Sequence, residues 1–263
     1  MTATTAGAGP GAGRTRWWAT HTGQPRQRLH PRLAPLLLVL AVSWVLVIFT
    51  YVTGNGHGFT HHNFQHPSLA VLLTVVLAWQ LMTLAMMGPS FLPAARYVAM
   101  NTLQPARTVA AFLVGYFLLW SGFLAAVAVG DATLHSVTGH EGWLAQHGTP
   151  LLAAVLLAAA AWQLTPFKRA CLLSCRTGRV LPAKGHRADL GAVTFGVRHG
   201  LACVGSCGPM MLVMLTAGSG HLLWMVVLGA LIWLEKTRGI GRRLAHPTAA
   251  GFTVLAVLVF LPA

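Results

Sequence analysis

The feature that most constrains this chain is a series of long apolar runs separated by polar segments. The lysines and arginines occur only in every second one of these segments. A helix needs about 20 apolar residues to cross the hydrocarbon core of a bilayer, and cytoplasmic loops carry an excess of Lys and Arg. Five basic residues precede the first run, two follow the second, seven lie around the junction of the fourth and fifth, and four follow the sixth. The pattern predicts an all-α fold, a polytopic transmembrane helical bundle with a cytoplasmic N-terminus.

We expect six to seven spans, because the last apolar run is short. Gly88 and Pro89 are expected to end the second span, and Pro166 is expected to kink or break the fourth, because proline removes a backbone donor. Gln80 lies inside the second run and is expected to hydrogen-bond to a neighbouring helix. The spans are predicted near residues 33–52, 69–87, 109–129, 150–170, 195–217, 222–235 and 249–261.

The composition excludes an ordinary soluble domain. Hydrophobic residues make up 55% of the chain and charged residues 8%, whereas soluble domains carry about 25% charged residues. A net charge of +14 can indicate nucleic-acid binding, but here the basic residues lie between apolar runs rather than on one face. We therefore expect a multi-pass protein of the bacterial inner (plasma) membrane, with the lipid bilayer as its partner and no nucleic acid.

Two regions differ in composition. Residues 1–32 are rich in Ala, Gly, Thr and Arg and have no apolar period, which predicts a disordered basic cytoplasmic arm. Residues 33–263 form the predicted transmembrane helical domain. The first apolar run is too long for the hydrophobic core of a typical cleaved signal peptide, so we expect it to remain as a span.

All four cysteines fall in two short stretches that share the pattern A-C-x-x-S-C. Cys171 and Cys175 are four residues apart, and His199, Cys203 and Cys207 follow one another at the same spacing. Residues four apart lie on one face of a helix. Because both stretches are predicted at the cytoplasmic ends of their spans, they are expected to meet and to offer five nitrogen and sulfur ligands.

The chemistry of these stretches favours a soft metal, copper(I) or zinc, over a disulfide. Helical residues four apart place their Cβ atoms about 5–6 Å apart, which is wider than a disulfide needs, and the cytoplasmic side is reducing. Thioethers would favour copper(I). The possible additional ligands are Met82 and Met86, which have Met87 beside them, together with Met211 and Glu235. Methionine is also ordinary apolar filling, and Glu235 can equally be an interfacial residue that pairs with Lys236 or Arg238.

The first predicted outer loop is rich in histidine. His57, His61, His62 and His66 fall between the first and second runs, in a segment without Lys or Arg. Such a cluster can capture a metal outside the cell. The alternative is a solvated polar loop with no ligand function.

The chain resembles a bacterial domain-of-unknown-function family of predicted metal-binding integral membrane proteins. The resemblance covers roughly residues 69–239, and its two cysteine blocks are specific. The chain departs from the family pattern at Gly88, where Leu is common, and at Gly208 and Pro209, where aromatic and small residues are common. The matching stretches are AMMGPSFLPAARY (85–97), WQLTPFKRACLLSCRTG (162–178), FGVRHGLACVGSCGPMMLVML (195–215) and WLEKTRG (233–239).

The resemblance implies six or seven spans and a presumed metal site, but no particular activity. It marks as functional positions Cys171, Cys175, His199, Cys203, Cys207 and Glu235.

Three functions remain open at this point. The first is a membrane protein that binds and handles copper(I) or zinc, by transport, storage or delivery during assembly of a membrane enzyme. The second is a membrane thiol oxidoreductase, and the third is a non-catalytic subunit of a membrane enzyme complex. No nucleophile–base constellation, phosphate loop or carboxylate pair points to catalysis. We therefore lean against an enzyme, leave catalytic residues unknown, and expect a metal donor or acceptor, or a membrane-enzyme complex, as partner.

Overall fold

The computed structural model describes residues 34–53, 69–138, 148–178, 181–216, 221–237 and 241–261, and in these ranges it contains only helices and their connections. The predicted N-terminal arm and the four histidines of the first outer loop lie outside the described residues. The helices are α1 (Ala34–Val52), α2 (Leu69–Asn101), α3 (Pro105–Thr138), α4 (Gly148–Leu164), α5 (Pro166–Ser174), α6 (His186–Thr216), α7 (His221–Thr237) and α8 (Gly241–Phe260).

The all-α prediction is confirmed, and the apolar helices fit a membrane bundle. Five helices, α1, α2, α3, α6 and α8, are long and apolar enough to cross a membrane, and the count rises to six if the bent pair α4–α5 is one span. The helix α7 has 17 residues and is not among these candidates. The outward faces are apolar, as the exposed side chains of Leu38, Val45 and Leu118 illustrate. Such surfaces suit contact with lipid.

The second helix is much longer than its predicted span. It continues through Gly88, Pro89 and Pro93 to Asn101, so the prediction that Gly88 and Pro89 end it is wrong. Apolar surroundings offer the backbone no water as an alternative partner, which favours continued helix despite the donors that proline lacks. A Cβ added at Gly88 would lie within 3 Å of the Leu40 side chain, so this glycine lets α1 pack closely against α2.

The fourth apolar run is broken just before Pro166, as the sequence predicts. The axes of α4 and α5 differ by 69° across the break at Thr165. Thr165 caps the new helix, because its hydroxyl accepts a hydrogen bond from the Lys168 amide at 3.2 Å and Pro166 occupies the first turn, where its missing N–H costs nothing. The break redirects the chain, and the short helix α5 packs against α6.

The centre of the fold is the contact between α3 and α6. Glycines from both helices meet here. A Cβ added at Gly115 would lie within 3 Å of the Val193 carbonyl oxygen, and one at Gly196 within 3 Å of the Phe112 carbonyl oxygen. Small residues allow such close backbone approach in apolar bundles. The approach carries the side chain of Tyr116 onto the face of α6 that bears the cysteines.

A proline inside α6 is accommodated by a tryptophan from α4. Pro209 has no N–H to give to the carbonyl of Gly205, four residues earlier. The indole Nε1 of Trp162 donates to that carbonyl oxygen at 3.0 Å. The helix therefore continues past Pro209 to Thr216 with this acceptor satisfied. Likewise, Gln80 donates from Nε2 to the Phe117 carbonyl of α3 at 3.1 Å, which confirms its predicted role between helices.

Candidate metal site

Three sulfur atoms meet in the buried centre of the fold. Cys203 and Cys207 lie one turn apart on α6, and their Sγ atoms are 4.0 Å apart. The Met87 Sδ of α2 is 3.9 Å from the Cys203 Sγ and 3.9 Å from the Cys207 Sγ. All three side chains are at most 1% exposed. We call this group, formed by Cys203, Cys207 and Met87, the sulfur triangle.

The dimensions of the sulfur triangle suit a bound metal. The point equidistant from the three sulfur atoms lies about 2.3 Å from each of them, which is close to the metal–sulfur bond length of about 2.3 Å known for zinc thiolates. Thiolates and thioethers are soft ligands that select copper(I). The residues present therefore fit a three-coordinate soft ion without rearrangement of the helices.

A lysine and a tyrosine flank Cys203. The Lys236 Nζ of α7 lies 2.8 Å from the Cys203 Sγ and 3.9 Å from the Cys207 Sγ, and the Tyr116 hydroxyl lies 3.1 Å from the Cys203 Sγ. The Cys207 Sγ donates to the Cys203 carbonyl oxygen at 2.9 Å. An ammonium group this close favours the thiolate, which is the metal-binding form of cysteine.

Arg176 fixes the end of α7 that carries Lys236. Its Nε donates to the Lys236 carbonyl oxygen at 2.9 Å, and its Nη2 donates to the Glu235 carbonyl oxygen at 2.7 Å. Carbonyl groups at a helix C-terminus lack partners within the helix, and a cation there also interacts favourably with the helix dipole. Arg176, which follows α5, therefore fixes the backbone of α7 at Lys236.

Glu235 belongs to a second buried ion pair rather than to the sulfur triangle. Its Oε2 lies 2.8 Å from the Lys168 Nζ, and both side chains are 2% exposed. Lys168 also donates to Gln163 Oε1, whereas the Glu235 Oε1 has no hydrogen-bond partner among the described residues. Of the two partners that the sequence offered for Glu235, Lys236 is not the one found, and Arg238 lies outside the described residues. Lys168 and Lys236, read from the sequence as loop signals of topology, lie within α5 and α7 and are buried.

Cys171, in α5, and Cys175, just after α5, are not part of the sulfur triangle. A Cβ added at Gly205 would lie 2.5 Å from the Cys171 Sγ, and residue 205 is about 200° around the helix from residue 203. Cys171 therefore contacts the opposite side of α6. Cys175 follows the end of α5, and burial raises its pKa to about 11, an effect opposed by the Lys236 ammonium and by a hydrogen bond with Ser206. Cys175 thus lies on the side of α6 that faces Lys236.

His199 shares the cysteine face of α6 but lies among aromatic rings. Its ring centroid is 5.9 Å from that of Phe112, 6.0 Å from that of Tyr116 and 6.1 Å from that of Phe195. Across the ranges that the structure describes, no three side chains of the types His, Cys, Asp and Glu come together as a possible metal site. The five predicted ligands are thus not gathered in one cluster, and the methionine thioether completes the group of three.

The sequence did not place Met87, Lys236 or Tyr116 in this site. Met82, Met86 and Met211 are buried in the core, but the thioether that contacts both cysteines is that of Met87. Met87 and Lys236 fall inside the resembling stretches 85–97 and 233–239, so that resemblance was the available signal. Tyr116 lies outside those stretches, and only the packing of α3 on α6 reveals it.

The described residues thus define a class of protein, namely all-α proteins with helices apolar enough to cross a membrane and with a buried group of sulfur atoms. The chain belongs to the family described as "PpoB2: Copper chaperone", whose model matches residues 76–259. The match covers most of the chain and includes every residue of the site. Searches of curated proteins and of solved structures return no match.

Proposed function

We propose that this protein is a multi-pass copper chaperone of the bacterial inner membrane, which binds one copper(I) ion at the sulfur triangle and passes it to an acceptor protein. The observation that carries the proposal is the equal spacing of the three buried sulfur atoms, 3.9–4.0 Å from one another. The copper chaperone family supports the metal, and the apolar helices support the membrane.

Ligand number favours copper(I) over zinc at this site. Structural zinc sites are almost always tetrahedral with four protein ligands, whereas the described residues supply three sulfur atoms, one of them a thioether. Thioethers bind copper(I) far better than they bind zinc. Cys203 and Cys207 are therefore the anionic ligands, and Met87 is the neutral third ligand.

Cys175, Cys171 and His199 are proposed to serve transfer rather than storage. Cys175 is near Ser206 and Lys236 at the end of α5, so it can present a thiol to copper on its way to Cys203. A chaperone must release its cargo, and ligand exchange between neighbouring thiols allows release without a free ion. Cys171, on the far side of α6, and the buried His199 are the remaining candidates for such a path.

The test measures copper binding by the full-length protein, reduced and reconstituted in lipid nanodiscs. We expect one copper(I) per chain, with an X-ray absorption spectrum of three sulfur neighbours at about 2.3 Å. The Met87→Leu variant should show two sulfur neighbours, and Met100→Leu, a change at an exposed methionine of the same helix, should keep three. Absence of stoichiometric copper in the reduced wild type would contradict the proposal.

The thiol oxidoreductase alternative makes a different prediction. A disulfide requires an S–S distance of about 2.05 Å and Cβ atoms about 3.8 Å apart, and Cys203 and Cys207 lie one turn apart within α6, with free thiols 4.0 Å from each other. Closing a bond between them would distort the helix. Thiol trapping in cells distinguishes the two functions, since a redox enzyme cycles through an oxidised form and a chaperone keeps both cysteines reduced.

A further inference from the structure

We infer that Lys236 is the charge-balancing residue of the sulfur triangle, and that its ammonium group gives the site its preference for a monovalent over a divalent metal ion. The inference deepens the proposed function and rests on it. Lys236 does not bind the metal. It acts through Cys203 and Cys207 as a positioning residue for charge.

The Lys236 ammonium is held beside the thiols and away from water. It is 6% exposed, and its Nζ lies 2.8 Å from the Cys203 Sγ and 3.9 Å from the Cys207 Sγ. A buried charge is costly unless an opposite charge or hydrogen bonds compensate it. The Cys203 sulfur is the group that the structure places at hydrogen-bond distance from this ammonium, and as a thiolate it supplies the opposite charge.

The neighbouring buried charges cancel without Lys236. Lys168 and Glu235 form their own ion pair at 2.8 Å. Adjacent residues on a helix point about 100° apart, so Glu235 faces Lys168 while Lys236 faces Cys203. Arg176 holds the backbone carbonyls of both α7 residues. The charge of Lys236 is therefore left to act on the sulfur triangle.

With a metal bound, the net charge of the site depends on the valence of the ion. Two thiolates carry −2 and the Lys236 ammonium carries +1, while the thioether of Met87 and the phenol of Tyr116 are neutral. A monovalent ion brings the sum to zero, whereas a divalent ion leaves an uncompensated +1 in a buried, apolar centre. Without Lys236 the charge balance favours a divalent ion instead, because two thiolates and a divalent ion are neutral by themselves. The preference thus depends on one side chain.

The experiment compares copper(I), silver(I) and zinc(II) binding to the full-length, reduced protein in lipid nanodiscs, by competition with chromophoric chelators. We expect Lys236→Met to weaken copper(I) and silver(I) binding by at least about tenfold, since charges about 4 Å apart interact strongly in a low-dielectric site. Zinc(II) binding should be unchanged or tighter. Lys236→Arg, which keeps the charge, should retain the monovalent preference.

A matched control removes the second ion pair without changing the total charge. The double variant Lys168→Met/Glu235→Gln should leave the copper-to-zinc affinity ratio near that of the wild type, even where its stability is lower. Size-exclusion profiles check that each variant is folded. If Lys236→Met weakens the binding of copper(I), silver(I) and zinc(II) equally, the charge-balancing role is overturned and the proposed function is left intact. A wild type that binds none of the three metals would overturn both.

Discussion

Two regions of this molecule carry the same short sequence, A-C-x-x-S-C, and differ in almost everything else. On α6, Cys203 and Cys207 are 1% exposed and meet the Met87 thioether of a distant helix. On the short helix α5 and just after it, Cys171 and Cys175 are only partly buried. Cys171 contacts α6 at Gly205, and Cys175 interacts with Ser206 and Lys236. A shared spacing therefore does not make a shared site. The neighbours that tertiary packing supplies decide what each cysteine pair can do.

The largest expected effect separates the two pairs directly. Cys203→Ser should lower copper(I) affinity by more than about 100-fold, because loss of a ligand should exceed the 10–100-fold cost of losing an outer-shell partner. Cys171→Ser should leave the equilibrium affinity nearly unchanged and should slow transfer to a thiol acceptor instead. Chelator competition measures the affinity, and stopped-flow absorbance measures the transfer. Equal losses of affinity in both variants would show that the two pairs act as one site.

The second prediction concerns the packing of α3 against α6, which supports the sulfur triangle but not Cys171 and Cys175. Gly196→Ala places a Cβ within 3 Å of the Phe112 carbonyl oxygen, and overpacking of this kind costs roughly 1–3 kcal/mol. Thermal unfolding in nanodiscs should show the loss. Gly122→Ala is the matched control on α3, because a Cβ there meets open space and alanine favours helix. Equal stability of the two variants would contradict the close approach of α3 and α6.

The third prediction sharpens the role of the thioether. Met87→Leu keeps the apolar volume and removes one soft ligand, so copper(I) affinity should fall by about tenfold, or about 1.4 kcal/mol, while stability changes little. The matched control is Met100→Leu, at a methionine that is 64% exposed on the same helix. Chelator competition provides the comparison. An unchanged affinity in Met87→Leu would reduce the site to its two thiolates.

The smallest expected effect tests the contact between α4 and α6, next to Cys171. Trp162→Phe removes the indole donor to the Gly205 carbonyl and should lower the free energy of unfolding by about 1 kcal/mol. Adding Pro209→Ala restores a backbone N–H for that carbonyl, so the double variant should recover part of the loss. If Pro209→Ala gives no recovery in the Trp162→Phe background, the tryptophan stabilises the helix by packing alone.

Much of the architecture follows from local patterns. Apolar runs located the helices, Pro166 located the break between α4 and α5, and Gln80 was correctly expected to bond across helices. The end of α2 was misplaced at Gly88 and Pro89, because proline propensities measured in water overstate the penalty within a packed apolar bundle. The sequence alone did not show that the last turn of α7 would bring Lys236 to the cysteines of α6.

The site was less predictable than the fold. Helical periodicity alone places Cys203 and Cys207 on one face, and the structure has their sulfur atoms 4.0 Å apart. Whether the two cysteine pairs meet depends on the rotation of α5 about its own axis, which the sequence does not give. The 69° bend at Thr165 also sets the direction of α5, and no pattern in the sequence specifies the angle of such a bend. The involvement of Cys171, Cys175 and His199 in copper transfer stays a prediction.

The sequence by itself determined the helical class, the apolar exterior and the cysteine stripe of α6, because each of these depends on composition or on the 3.6-residue period within one segment. Only the tertiary structure decided that Met87, Tyr116 and Lys236 face that stripe. Their positions depend on how four helices approach and rotate against one another. That geometry is set by close glycine contacts, a proline break and buried ion pairs between residues far apart in the chain.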